Sequence, residues 1–404
     1  MTQKCPVSIE QEFEKFSSYS MTPAEAHDLI ERARNKCPVP HSNELGGFHI
    51  FMNYEDVRNG LMDWQTYASS PSVLRPYQDD MPVFPPNSFD PPEHTHWRKI
   101  FTNGVNVRTP DRIEPLVRAD TVELIEKFVE RGECDLHLDL AEFVPMKAIF
   151  HVLGLEPELH ETLRHMNMDL LAAVGDPKRF KELWAPFSEF GWKEVEKRKS
   201  NPGDDYLSVL ANAELDGRPL TPEEVGACVI SLLTAGHGTT IAALTNLFYE
   251  VLRRPELKQR LIDNPADIPL AVNEGLRLHH PFLGLFRRTT TDVEIHGKTI
   301  KQGESVYMAW EAANRDPAVT ENPLEFDIDR PDFQHLAFGL GKHSCVGRMT
   351  ALMEMRVVME ELLSRVPDIE LVAPDKVVWE FHGAETQGFL ELPARFTPRN
   401  RRES

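Results

Sequence analysis

The sequence predicts a mainly α protein: a large helical body crossed by one long central helix, with a smaller β-containing region. Three observations predict it. Apolar residues recur at helical spacing over 112–130, 141–153, 156–174 and 179–199. A further apolar stretch follows Thr221 and, if continuous to Arg253, spans 32 residues, about 48 Å of helix. Alternating, strand-like segments are few and cluster late, at 293–300, 305–309 and 389–396.

The balance of charge narrows the function. The chain has 404 residues with 44 Lys plus Arg against 64 Asp plus Glu, a net charge of −20, which argues against a nucleic-acid partner. At 41% hydrophobic residues there is ample material for a core, and one unit or several remain open on length alone. The five cysteines, Cys5, Cys37, Cys134, Cys228 and Cys345, are odd in number and widely spaced, without a C-x-x-C pair, which argues against a disulfide framework or a cysteine zinc site. The acidic start has no secretory h-region and no run reaches about 18 continuous apolar residues, so no membrane span is expected. These features read as a soluble, cytoplasmic protein of a reducing compartment.

In chain order, the first distinctive element is the proline-rich stretch 69–94. It lacks periodicity, so it is expected to be a long irregular loop, and its apolar residues Val73, Leu74, Tyr77, Met81, Val83, Phe84 and Phe89 argue against a linker. The pair His160-Glu161 with His165 misses the spacing of a zinc-binding H-E-x-x-H and reads as a solvated helix edge. The central helix opens at Thr221-Pro222-Glu223-Glu224, with an N-cap threonine, proline at the first helical position and Glu224 to close a capping box. Its middle, Ala235-Gly236-His237-Gly238-Thr239-Thr240, breaks helix rules, since two glycines cost roughly 2 kcal/mol relative to alanine. Either the helices pack closely there, with threonine hydroxyls bonded back to the preceding turn, or the helix opens locally against a flat ligand.

The chemistry concentrates near the C-terminus. Cys345 follows the glycine-containing run from Phe338 and precedes a clear helix over 348–364, where free N–H groups and the helix dipole favour a thiolate. A phosphate cradle fits poorly, because Ser344 stands where a third glycine is needed. A cysteine nucleophile with His343 as base is a second reading, though residues two apart in a loop rarely face each other. A thiolate that ligates haem iron is the third.

Phe338, Gly341, Cys345 and Gly347, as F-x-x-G-x-x-x-C-x-G, resemble the haem-binding signature of the cytochrome P450 superfamily. Four more signatures of that family appear in its order: Asp90-Pro91-Pro92-Glu93-His94 with Arg98, the central helix with Ala235-Gly236 and Thr239, Glu274 with Arg277, and Phe326-Asp327-Ile328-Asp329-Arg330. The resemblance covers essentially the whole chain and implies the P450 fold, with the central helix over haem b. It implies that Cys345 is the axial thiolate ligand of the iron. Gly341 would let the loop turn under the porphyrin, and Phe338 would keep water from the sulfur. His94, Arg98, Arg287 and His343 would contact the propionates, with Arg288 as rival to Arg287. Glu274, Arg277 and Arg330 would form a buried ion network that supports the loop. Thr239 supplies the family's alcohol for proton delivery, whereas Gly238 stands at the position of the usual acid, so His237 or ordered water is expected to assist.

By the same resemblance the chain is a single haem-thiolate domain, 1–404, without a fused reductase. It would be a monomeric monooxygenase that takes one oxygen atom from O2 and receives electrons from an iron–sulfur ferredoxin and its ferredoxin reductase. A basic stretch, Arg98, Lys99, Arg108, Arg112 and Arg118 against Asp111 and Glu114, with Lys342, Arg348 and Arg356, would steer the donor. The pocket would draw on the proline-rich loop, 165–190, Ala235, 282–286 and 384–386, and suit a small or medium hydrophobic substrate such as a terpenoid or aromatic compound. Hydroxylation and oxidative demethylation are both open, and Arg75 could meet a carboxylate. The alternatives are a peroxide-driven haem-thiolate enzyme, which Gly238 motivates, and a non-catalytic haem sensor or carrier.

Overall fold

The computed structural model describes residues 5–17, 20–74, 82–173, 176–331, 334–382 and 386–400. The central helix, Pro222–Leu252, is 31 residues long and begins as its sequence requires: the Thr221 hydroxyl accepts from the Glu224 N–H, and the Glu224 carboxylate accepts from the Thr221 N–H at 2.8 Å. By length and composition this helix could cross a membrane, but 67% of its most apolar window is buried within the protein. It is the axis of the core.

Of the two alternatives at Ala235–Thr240, the local opening is absent, and the helix runs through the segment unbroken. The hydroxyls are satisfied internally: Thr239 Oγ1 donates to the Ala235 carbonyl and Thr234 Oγ1 to the Ile230 carbonyl, each at 2.8 Å. Gly236 serves packing, since a Cβ there would lie 3.0 Å from Ile149 Cδ1. Near the helix start, Gly226 lets the Pro177–Ser200 helix cross in close contact; a Cβ would fall 2.5 Å from the Ser188 Cα.

The other helices follow the periodicity with shifted ends: Thr109–Phe128, Val144–Leu153, His160–Ala172 and, after the cysteine, Arg348–Arg365. A π-helical turn, His137–Ala141, leads into the second of these. The strands depart more. The 293–300 segment is a hairpin, Val293–Ile295 with Lys298–Ile300, that turns on His296 (φ 49°) and Gly297 (φ 77°). The 389–396 segment divides between two sheets, Thr386–Phe389 in one and Pro393–Arg395 in another. Strands also occur early. Phe48–Phe51 lies parallel to Ser305–Met308, which pairs antiparallel with Leu285–Thr289 and places Arg287 opposite Val306.

The cysteine count misled on one point. A disulfide joins Cys5 to Cys37 and ties the N-terminal helix Val7–Phe13 to the end of Pro23–Ala33, so the inference of a reducing compartment loses its premise. Cys134 and Cys228 are buried free thiols, both pushed up by burial.

Glu250, near the end of the central helix, gives the fold an acid-labile joint. Burial raises its pKa, but the His279 hydrogen bond at 2.8 Å and charge, with the charges of Arg254 and Arg253, hold it down at about 2. The folded value lies below the unfolded one near 4.5, so this stabilisation is complete above that pH and is lost as pH falls towards 2. Urea unfolding across this range should show about 3 kcal/mol of stability lost from this site, a component missing in Glu250→Gln.

Candidate active site

The thiol loop is shaped by its glycines. Gly341 has φ +67°, and a Cβ there would lie 3.1 Å from the Leu61 carbonyl oxygen, so both conformation and space exclude a side chain. The Cys345 N–H donates to the Phe338 carbonyl at 2.8 Å, which closes the loop on itself. The half-buried Phe338 ring lies 5.6 Å from the Arg348 guanidinium carbon. Gly347 is the N-cap of Arg348–Arg365, and a Cβ there would sit 4.0 Å from the Cys345 sulfur.

Cys345 is a free thiol accessible to solvent, at the helix start where the sequence puts it. The thiolate-stabilising groups are present, but they do not win. Desolvation raises the thiol pKa and outweighs the N–H groups of Gly347 and Arg348 and the charges of Arg98 and Arg348. A metal ion is what would strip its proton outright.

Beside the thiol loop is a cluster of basic side chains. The Glu93–Gly104 helix brings His94 and Arg98 one turn apart. His94 is buried with neither ring nitrogen hydrogen-bonded, and burial followed by the charges of His343 and Arg98 lowers it to about 4. Arg98 donates to the Ser344 carbonyl at 2.5 Å, and burial lowers its pKa. Arg287 is fully inside, donates to its neighbour's Phe286 carbonyl, and is lowered to about 10 by burial against a weak opposing pull from Asp90. Arg288 is exposed on the opposite face of the strand and bonds the Gly303 carbonyl, which leaves the inward role to Arg287. Among the described residues, neither Arg98 nor Arg287 makes a salt bridge.

His343 is the partial exception to the expected set. Its ring centroid is 4.3 Å from that of His94, but its Nε2 lies 3.0 Å from Asp90 Oδ1, so that nitrogen is taken. Asp90 also accepts the N–H groups of Ser69 and Ser70, at 3.2 and 2.9 Å; burial would raise its pKa, but these bonds and His343 lower it. Asp90 is thus the residue that ties the proline-rich loop to the thiol loop. Its signal was the D-P-P-E-H motif, whose carboxylate the sequence left without a partner.

These residues fit a haem. A buried guanidinium (Arg287) and a half-buried one (Arg98), both without ion-pair partners among the described residues, and an orphaned histidine cost stability unless anions or donors meet them, and two propionates are such anions. Cys345 would hold the iron, while Arg98, Arg287 and His94 would hold the propionates.

On the central helix, Ala235, Gly238 and Thr239 share one face by their i, i+3, i+4 spacing. Ala235 is exposed, and nothing lies within 4 Å of a Cβ built on Gly238, so this face is an open strip. His237 is not on it. It is buried on the opposite side, with Nδ1 3.4 Å from Asn167 Nδ2 and Nε2 3.3 Å from the Glu142 carbonyl, and burial holds it neutral with a pKa of about 4. The structure therefore does not bring His237 to Thr239 as a proton donor.

Two further expectations change. In 282–286, Leu283 and Phe286 are packed in the core that the N-terminal helices cover. Phe84 of the proline-rich loop instead packs on the Pro177–Ser200 helix, 5.4 Å from Trp184 and 6.2 Å from Phe180 between ring centroids. Arg75, Ala384 and Glu385 lie outside the described residues. The basic stretch is also weaker than its count, because Arg118 pairs with Glu114, Glu360 and Glu361, and Arg356 with Glu114 and Glu360. Lys99, Arg108, Lys342 and Arg348 remain exposed, with apolar Val107, Leu116 and Met349 also exposed. A groove of about 820 Å³ on the outer side of the Glu93–Gly104 helix, which includes His96 and Lys99, shares no residue with the thiol and cation cluster.

Comparison with known proteins agrees with this geometry. The family model described as Cytochrome P450 matches residues 146–265 and 268–367. Cytochrome P450 107B1 of Saccharopolyspora erythraea is 31% identical over 91% of this chain and 94% of its own length. A steroid C26-monooxygenase of Mycobacterium tuberculosis is 32% identical over 84% of this chain and 96% of its own. The solved structure of cytochrome P450 CYP109Q5 from Chondromyces apiculatus superposes with a TM-score of 0.84 at 28% identity, over 99% of this chain and 100% of that one. With a solvent-reachable thiol beside basic side chains that lack ion-pair partners and an open glycine–threonine strip, on a chain so matched, the protein belongs to the cytochrome P450 family and is a haem-thiolate monooxygenase.

Proposed function

We propose that this protein binds haem b and inserts one oxygen atom from O2 into a small or medium hydrophobic substrate of terpenoid or aromatic type, by hydroxylation or oxidative demethylation. The observation that carries the reading is the juxtaposition of the Cys345 thiol with half-buried Arg98 and buried Arg287, neither in an ion pair among the described residues, and with buried His94. When bound, haem supplies thiolate-ligated iron, at which dioxygen is reduced and an oxygen atom is transferred. The chain's own residues do the rest. Cys345 gives the ligand, Arg98, Arg287 and His94 hold the propionates, Phe338 and Gly341 shape the loop, and Thr239 presents a hydroxyl at the open strip. The space beside Gly238 admits water next to that hydroxyl, which supports water rather than His237 as the proton source. A ferrous carbonyl spectrum with the thiolate-shifted Soret band tests the haem, and a screen of apolar compounds for spin-state shifts tests the substrate class. A carbonyl band without that shift would overturn the assignment of Cys345.

We assign the electron supply to a separate iron–sulfur ferredoxin with its reductase. Support comes from Lys99, Arg108, Lys342 and Arg348, exposed basic residues on a chain of net charge −20, with Leu116 and Met349 also exposed. Arg112 is half-buried with Nη1 3.3 Å from the His151 carbonyl and is four residues from Arg108. Arg112→Glu should slow reduction by an acidic ferredoxin about tenfold at low salt and much less at high salt. Equal rates for both proteins at low salt would place docking elsewhere.

The peroxide-driven reading keeps one specific support, the absence of any acid at position 238 with His237 turned away. Product formed per electron pair should therefore be low with a ferredoxin donor, and added hydrogen peroxide should support turnover. Gly238→Glu, whose Cβ would meet nothing within 4 Å, should raise the coupled fraction. Full coupling in the unaltered protein would dismiss the peroxide route.

A further inference from the structure

We propose that Asn167 and His237 form a positioning pair that fixes the reactive strip of the central helix against the His160–Ala172 helix. The inference rests on reading Ala235, Gly238 and Thr239 as that strip.

The hydrogen-bond pattern admits one arrangement. The Glu142 carbonyl can only accept, so His237 Nε2 carries the proton and donates to it at 3.3 Å. His237 Nδ1 is then an acceptor, and Asn167 offers it the amide Nδ2–H at 3.4 Å. Both side chains are buried. Glu142 follows the π-helical turn His137–Ala141, and its N–H donates to the His137 carbonyl. Its carboxylate in turn pairs with Arg164 at 3.2 Å, one turn before Asn167 on the same helix. Two links from the His160–Ala172 helix thus converge on Glu142, and one of them passes through the middle of the central helix.

The place of the link matters. His237 sits between Gly236 and Gly238, which have no side chains to set the rotation or height of the helix. It carries the only hydrogen-bonding side chain of those three residues, on the face opposite the strip. A displacement of the His160–Ala172 helix is therefore passed by Asn167 to the backbone that presents Gly238 and Thr239. The pair acts through position; it does not touch the reacting atoms.

The test is a double-mutant cycle on the haem-loaded protein with Asn167→Leu, His237→Leu and the combination, read by amide hydrogen exchange. Each single change should raise exchange at 235–239 by about tenfold, with the ends of the central helix unaffected, and the double should add little to either. Asn167→Asp, whose carboxylate can accept from a protonated Nδ1, should restore protection that Asn167→Leu loses. The same order should appear in the fraction of ferric haem that a given apolar ligand converts to high spin. Additive effects, an effect confined to 160–172, or equal behaviour of the Leu and Asp variants would overturn the pairing. A missing thiolate-shifted carbonyl band would instead sink the haem assignment and leave the exchange cycle readable.

Discussion

Cys345→Ala should leave a folded protein that has lost the thiolate-shifted carbonyl band and nearly all turnover. The side chain is solvent-accessible, so its removal opens no cavity, and the loop is held by backbone features: the Cys345 N–H to Phe338 carbonyl bond and the positive φ of Gly341. Unfolding without haem should shift by no more than about 0.5 kcal/mol. Turnover should fall by about 10³-fold or more, about 4 kcal/mol of barrier, because no other described residue in the cluster offers a thiolate. Denaturation of the haem-free protein and the carbonyl spectrum of the haem-reconstituted one check the two halves separately. A variant that retained the shifted band would show that the ligand is another residue.

Glu274→Gln should cost about 3 to 5 kcal/mol of stability, the effect of stranding buried charge. Glu274 is buried and receives Arg277 through two bonds of 2.7 and 2.8 Å, Arg330 at 3.2 Å, and the Asp327 N–H at 3.0 Å. Arg277 spends its remaining donors on the carbonyls of Asn314, Pro323 and Glu325. The Asn314 side chain then accepts the Leu336 N–H at 2.7 Å, two residues before Phe338. The carboxylate therefore stabilises the segment that enters the thiol loop, and the variant should also bind haem more weakly. Arg260→Ala is the control. Arg260 pairs with Asp267 and Asp329 at distances as short as those of Glu274, but it is well exposed, and its loss should cost below about 1 kcal/mol. Equal costs for the two variants would refute the distinction between buried and surface networks. Both changes are read by urea unfolding, with haem content measured in parallel.

The parts of the fold that were legible are local ones. Thr221, Pro222 and Glu224 announce the central helix because a capping box needs only neighbours, and the helix starts there. Gly341 and Gly347 around Cys345 announce a tight loop before a helix for the same reason. Glu274 and Arg277 are three apart on one helix, so their pairing needs no knowledge of the rest of the chain. What failed was non-local. The Phe48–Phe51 strand has no alternation, being buried on both faces, and one of its two partners, Ser305–Met308, is more than 250 residues away. The Cys5–Cys37 pair depends on how two N-terminal helices pack, which an odd cysteine count does not encode.

The site divides in the same way. By itself the sequence determined the family motifs, the thiol at a helix start, the alcohol at Thr239 and the missing acid at Gly238, since each is a matter of residue type and short spacing. Only the tertiary structure decided which side chains meet. It sends Arg287 inward and Arg288 outward because a strand alternates faces, and it occupies His343 with Asp90 across 253 residues of chain. It turns His237 away from Thr239 because residues two apart on a helix lie on nearly opposite sides, where Asn167 and Glu142 receive it.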